Sequence, residues 1–170
     1  MYGPDRIDIA VTPRIGLLHA LMRMTPEDRF DRQPWRGASG AVIAADLRID
    51  NRDHVLARLD MRPHDALAWP DSRVVLAAWE KFGNALWPML HGPFAVAIWN
   101  PADASLTLAR DQLGLNVVMW HRARDFLAFA TMPKGLFALP EVPRELNHEK
   151  LGDFLVLNHA DHATTFFRDI

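Results

Sequence analysis

Residues 90–115 read LHGPFAVAIWNPADASLTLARDQLGL, and the arrangement of the rest of the chain follows from this stretch. Phe94, Ala95, Val96, Ala97, Ile98 and Trp99 form a nearly unbroken apolar run. Asn100, Pro101, Ala102 and Asp103 make a turn, and residues 105–109 alternate until Arg110 and Asp111 interrupt them. Two apolar runs joined by a few Asn, Pro and Asp residues predict a β-hairpin. The first run offers almost no polar face, so it is expected to be covered on both sides, in the middle of a layered structure.

The chain around this hairpin has the length of one domain, 170 residues, long enough to bury roughly two-thirds of its unfolded surface. Lys plus Arg number 19 against 21 for Asp plus Glu, a balance that points away from nucleic acid and from anionic membranes. No apolar run approaches the ~18 residues that span a bilayer, and the N-terminus lacks a charged-then-apolar signal pattern. A cytoplasmic location is therefore the expectation. The sequence contains no cysteine, which excludes disulfides, thiolate metal sites and thiol nucleophiles within these residues.

Taken in order, residues 7–11 alternate as a strand and residues 15–18 predict a second. Thr25 and Pro26 mark a turn or helix start, and residues 41–45 predict a strand. Asn51 has the character of an N-cap, with Val55, Leu56 and Leu59 at helical spacing in a short outer helix. Pro63 and Pro70 bracket a loop. Asp71 is placed to cap a stronger helix in which Val74, Val75, Ala78, Trp79 and Phe82 line one face and Gly83 stops it. Residues 117–120 and 126–130 predict a further strand pair, Pro133 opens a short helix, and Asn147 caps a helix carrying Leu151, Phe154 and Leu155. Residues 164–170 are β-prone. There is no internal repeat and no low-complexity tract. On these patterns alone the class is α+β, in one domain.

Several of these segments carry a resemblance. The pattern L-x-G-x-F-A-x-A-I-W, a turn, then L-x-L-A-R-D-x-L-G resembles the central hairpin of the glutamine amidotransferase domain of asparagine synthetase and its relatives. FLAFATMPKGLFALP, residues 126–140, is similar to the strand end and lysine-bearing helix that follow in that family, and the likeness extends to residues 46–51 and 71–83. The resemblance implies a four-layer αββα sandwich of the N-terminal-nucleophile hydrolase type. Gly3-Pro4-Asp5 is similar to the family's arginine-glycine-proline-aspartate motif, which there follows a strand and a long helix. The expectation is then a domain spanning 1–170 that lacks the first strand and helix, with the catalytic cysteine they would begin, and with no ATP-dependent synthetase domain in this chain.

Active members hydrolyse glutamine with that N-terminal cysteine, whose thiolate attacks the side-chain amide while its own α-amine moves protons. The family's oxyanion-stabilising asparagine and glycine, and the glutamate after them, fall on Asp46, Leu47 and Arg48. A carboxylate at Asp46 would repel a developing oxyanion, Leu47 would crowd a close backbone approach, and Arg48 reverses the charge meant for an ammonium group. The substrate-carboxylate arginine aligns with Leu21, with Arg23 close by in sequence. Asp71 matches the second ammonium-binding acid but reads first as the helix cap. The resemblance therefore implies a vestigial pocket at Leu21, Asp46, Leu47, Arg48 and Asp71, with no catalytic residue.

Arg110-Asp111 reads either as part of the pocket wall or as a charge-paired corner, and Lys134 as a solvated helix residue. His159 and His162 stand three apart with His148 nearby, a spacing that also suits histidines complementing a helix C-terminus. No metal is expected in this chain, since no Cys or carboxylate joins these histidines in a recognised spacing, and no cofactor, since the phosphate loops G-x-x-x-x-G-K and serine-glycine-glycine-x-aspartate-serine are both missing.

The leading expectation is a degenerate amidotransferase-like domain without glutaminase activity, similar in character to those of lasso-peptide cyclases and β-lactam synthetases. It would be a scaffold for an ATP-dependent, amide-forming synthetase domain or separate synthetase chain. Two others stand beside it: a fragment of a glutamine-hydrolysing asparagine synthetase whose cysteine lies upstream, and a stand-alone peptide-binding module. A strand at residues 7–11 left at an exposed edge would also invite homo-oligomerisation.

Overall fold

The computed structural model describes residues 3–158 and 160–170, which fall into two compact units, Met1–Val117 and Val118–Ile170. The first unit carries β1 (Arg6–Val11), β2 (Gly16–Leu21), β3 (Trp35–Arg36), β4 (Val42–Leu47), α1 (Arg52–Arg58), α2 (Asp71–Phe82), β5 (Phe94–Asn100) and β6 (Ser105–Arg110). Short 3-10 helices at Pro26–Phe30, Pro63–Ala66 and Gly83–Met89 fill the connections. The second unit carries β7 (Met119–Arg122), β8 (Leu127–Ala130), α3 (Pro133–Leu136) and α4 (His148–Leu155). Every strand pairing is antiparallel, and the class is α+β.

The expected hairpin is β5–β6, and it forms the middle and one edge of the four-stranded sheet β3-β4-β5-β6. All of Phe94 to Trp99 are buried, as an apolar run with no polar face requires. Alternation divides the sheet into two faces. Ile43, Ala45, Phe94, Val96 and Ile98 turn toward the main core, where Val55 and Leu56 of α1 and Val74, Val75, Leu76 and Ala78 of α2 meet them. Val42, Ala95, Ala97 and Trp99 lie on the opposite face and are buried as well. Each fully buried Val, Leu or Ile contributes about 1.5–3 kcal/mol relative to exposure, so this one cluster carries much of the fold's stability.

Two caps differ from the sequence reading. Asn51 does precede α1, but its side chain makes no cap bond; Nδ2 donates to Met89 O at 2.9 Å and Oδ1 accepts from His91 N–H at 2.9 Å. Its amide is engaged across the fold rather than locally. Pro70, not Asp71, holds the N-cap position of α2, with Asp71 as the first helical residue. Gly83 ends α2 at φ +56°, as its lack of a Cβ allows. The segment between α1 and α2, read as loop, contains the 3-10 turn Pro63–Ala66 with Ala66 buried.

In the second unit, β7 and β8 form a two-stranded sheet over a small core of Ala128, Leu136 and Val142. Pro133 opens α3, and Asn147 caps α4 by accepting from Lys150 N–H at 3.1 Å. The final β-prone segment supplies one isolated bridge, Phe167 to Leu146, instead of a strand.

Candidate functional site

The polar interior of the first unit converges on Asp31, Gln33 and Ser72, all buried. Asp31 accepts three neutral donors: Trp35 Nε1–H at 2.7 Å, Ser72 Oγ–H at 2.9 Å and Gln33 Nε2–H at 2.9 Å. These bonds tie the connection before β3 to the start of α2. The Gln33 amide does a second job, since Oε1 accepts from Ala45 N–H at 2.6 Å while Nε2 donates to Ala45 O at 2.9 Å. β3 pairs with β4 through Trp35 and Ile43. Two residues further along that register, Gln33 stands opposite Ala45, and its side chain bonds both the N–H and the C=O of Ala45.

β2 brings a further group to this cluster. Leu17, His19 and Leu21 share its inward face, with Leu17 and Leu21 buried. His19 Nε2 lies 3.4 Å from Gln33 Nε2. Burial pushes the His19 imidazolium below its ordinary pKa, opposed by the carboxylates of Asp31, Asp46 and Asp8 and by the Ala45 backbone. A neutral imidazole is thus held between β2 and the end of β4.

The residues assigned to the vestigial pocket separate onto different surfaces. Asp46 is exposed, on the sheet face of Val42 and Ala44, and stands in one cross-strand row with Ala95 of β5 and Arg110 of β6. Leu47, one residue on, turns to the opposite face and packs against the main core. Arg48 is exposed and pairs with Asp50 at 3.0 Å. Leu21 shares the face of β2 that carries His19. The structure therefore associates Leu21 and Asp46 with the His19 side of the sheet and directs Leu47 away from it.

Asp71 lies with the helices. Its carboxylate accepts from Ile49 N–H at 2.8 Å and pairs with the Arg52 guanidinium. Arg52 also donates to Ala66 O at 3.1 Å and Trp69 O at 2.5 Å, binding α1, the 3-10 turn and α2 together. Burial pushes the Asp71 carboxyl above its ordinary pKa, with Ile49 N–H and Arg52 working against that shift. Both side chains are largely occupied by structural bonds, so the reading of Asp71 as a simple cap is replaced by that of a buried ion-pair anchor.

Arg110-Asp111 is not the charge-paired corner that sequence suggested. Asp111 is buried and accepts from Leu115 N–H and Asn116 N–H at 2.9 Å each, and from Phe94 N–H at 3.3 Å. Burial raises its carboxyl, but the backbone donors outweigh burial and hold it below the ordinary carboxylate range. Asn116 Nδ2 in turn donates to Asp46 O at 2.9 Å, fixing the end of β4.

Sequence reasoning missed His19, Asp31, Ser72 and Arg52. Gln33 was missed as well, since its two hydrogen bonds to Ala45 link segments twelve residues apart. An open depression of about 440 Å3 is lined by Asn51, His54, Pro88, Met89 and His91, none of them assigned to the pocket. Among the described residues no three His, Cys, Asp or Glu side chains gather as a metal-binding group, and His159 lies outside the described residues. Also among them, no helix is long and apolar enough to cross a membrane.

A family profile described as the glutamine amidotransferase domain matches residues 1–170. The chain is 26% identical over 175 residues to asparagine synthetase (glutamine-hydrolyzing) 2 of Bacillus subtilis (strain 168), an alignment covering 99% of this chain and 23% of that protein. It is 27% identical over 103 residues to putative asparagine synthetases (glutamine-hydrolyzing) of Mycobacterium bovis and Mycobacterium tuberculosis, covering 59% of this chain and 16% of each relative. The chain thus spans less than a quarter of the length of these curated relatives.

Proposed function

The chain belongs to the glutamine amidotransferase domain family of asparagine synthetases, and from that premise we propose that it is a degenerate member without glutaminase activity, a scaffold for an ATP-dependent synthetase domain. One observation carries this reading: where the family resemblance implies two oxyanion donors, the chain has an exposed carboxylate at Asp46 and a leucine, Leu47, turned into the core. Acyl transfer from an amide needs a nucleophile and fixed donors at the oxygen that becomes negative. Within these residues there is no thiol, and a carboxylate beside the oxyanion raises the barrier that donors would lower. Leu21 supplies no charge for the substrate's α-carboxylate.

What remains is architecture. The four-stranded sheet is covered by α1 and α2 on one face and is buried on the other, which supports the αββα sandwich as the arrangement of the whole domain. A wall of this kind, in a cytoplasmic protein, would present a stable surface to a synthetase domain, in the same chain or a separate one. The amide nitrogen would then come from the ligase's own amine substrate, as in the lasso-peptide cyclases and β-lactam synthetases that the chain resembles.

Ammonia release from glutamine, followed with a glutamate dehydrogenase couple, tests the reading. No protein-dependent rate is expected, and a measurable one overturns it. The names of the relatives favour a second reading, a glutaminase whose cysteine lies on an upstream segment. Supplying a Met-Cys-Gly-led strand and helix at the N-terminus separates the two: that reading expects ammonia release, ours expects continued silence because Leu21, Asp46 and Leu47 are unchanged.

A further inference from the structure

β1 runs along an edge, and among the described residues its only strand partner is β2. The hairpin closes with Thr12 N–H donating to Ile15 O at 2.8 Å. In the alternating antiparallel ladder, Arg6, Asp8 and Ala10 then exchange bonds with β2, while Ile7, Ile9 and Val11 turn their N–H and C=O groups outward. The side chains of those three residues are 58%, 62% and 75% exposed. A row of unpaired backbone groups flanked by β-branched side chains is a template for another strand.

We propose that a second copy of this chain pairs with β1, antiparallel, about a two-fold axis at Ile9, so that two hairpins become one four-stranded sheet. Charge and hydrogen bonding select this register from its neighbours. An axis at Asp8 sets two carboxylates directly opposite one another, and like charges so placed are destabilising. An axis at Ile7 faces Arg6 with the second copy's Asp8, but it calls on Asp5 N–H, already donated to Leu21 O at 3.1 Å, and sets Val11 opposite Gly3, whose φ of +59° is not that of a strand. An axis at Ala10 brings Ile7 opposite Pro13, likewise without a donor. About Ile9, all three outward residues find partners: Ile9 meets Ile9, and Ile7 meets Val11 in both directions. On the other face Asp8 meets Ala10 and Arg6 meets Thr12, so each Arg6–Asp8 pair within a copy is left intact. The isoleucine and valine contacts across the junction add the cross-strand packing that stabilises sheets.

The absence of native cysteine makes the register directly readable, because one introduced thiol reports one contact. Opposed residues of a hydrogen-bonded antiparallel pair stand about 5.5 Å apart at Cα, within disulfide range. Under oxidised glutathione, Ile9→Cys is expected to give a disulfide-linked dimer. Ile7→Cys alone is expected to stay unlinked, and Ile7→Cys mixed with Val11→Cys to link as a heterodimer. Sedimentation equilibrium of the unsubstituted chain is expected to show a concentration-dependent dimer. Ile9→Pro, which deletes an outward donor on an edge strand, is expected to weaken that dimer about tenfold or more while circular dichroism confirms a folded chain. A strict monomer overturns the proposal. So does linkage through Ile7→Cys alone, which reports another register, or through Leu18→Cys, which reports hairpins packed face to face.

Discussion

Asp31 is a buried carboxylate held by Trp35, Ser72 and Gln33. Removing it strands three donors away from water, and each unsatisfied buried group costs about 1–3 kcal/mol. Asp31→Ala is therefore expected to lower stability by about 3 kcal/mol or more in urea denaturation, and Ser72→Ala, which removes one of three donors, by about 1 kcal/mol. Arg52→Ala leaves Asp71 buried beside Ile49 N–H with no cation, at a cost of about 3–5 kcal/mol. His19 sets a pH dependence. Its folded pKa lies below the ordinary 6.5, so in the window beneath that value the unfolded chain binds a proton that the native one refuses. Stability is then full above about 6.5 and falls as pH drops toward the folded value; His19→Gln, measured by urea denaturation at stepped pH, is expected to flatten that fall.

At the scale of elements, Ile98→Ala in β5 opens a cavity in the main core and is expected to cost about 2–5 kcal/mol. Gly92, before β5, has φ +117°, and a Cβ there would collide with Arg48 O. Gly92→Ala is expected to shift the thermal midpoint down by several degrees, from about 1–3 kcal/mol of strain. β5 and α2 were legible because a six-residue apolar run and a 3.6-residue stripe each report burial directly. Asn51, Asp71 and Asp111 were legible as polar residues at element boundaries, but not in their bonding. Their partners, Met89 and His91, Ile49 and Arg52, and Asn116, come from other elements or from a loop that folds back, and local spacing carries no record of them. That Leu47 and Asp46 face opposite ways follows from strand alternation once Ala45 to Leu47 is known to lie inside β4.

For the whole molecule, the main core draws on residues from Trp35 to Ala109 and is confined to the first unit. Residues 1–117 expressed alone are expected to unfold in one cooperative thermal transition. Residues 118–170, with an apolar cluster of three buried residues, are expected to show none. A sloping, transition-free melt of the first piece would contradict the assignment of stability to that core. The same confinement matters on the ribosome. Synthesis proceeds N-terminus first at about 5–20 residues per second, so the interval spent on residues 118–170 is roughly 3–10 seconds. Through that interval the nascent chain already holds everything its largest apolar cluster needs, and residues 118–170 emerge after a stretch able to collapse without them.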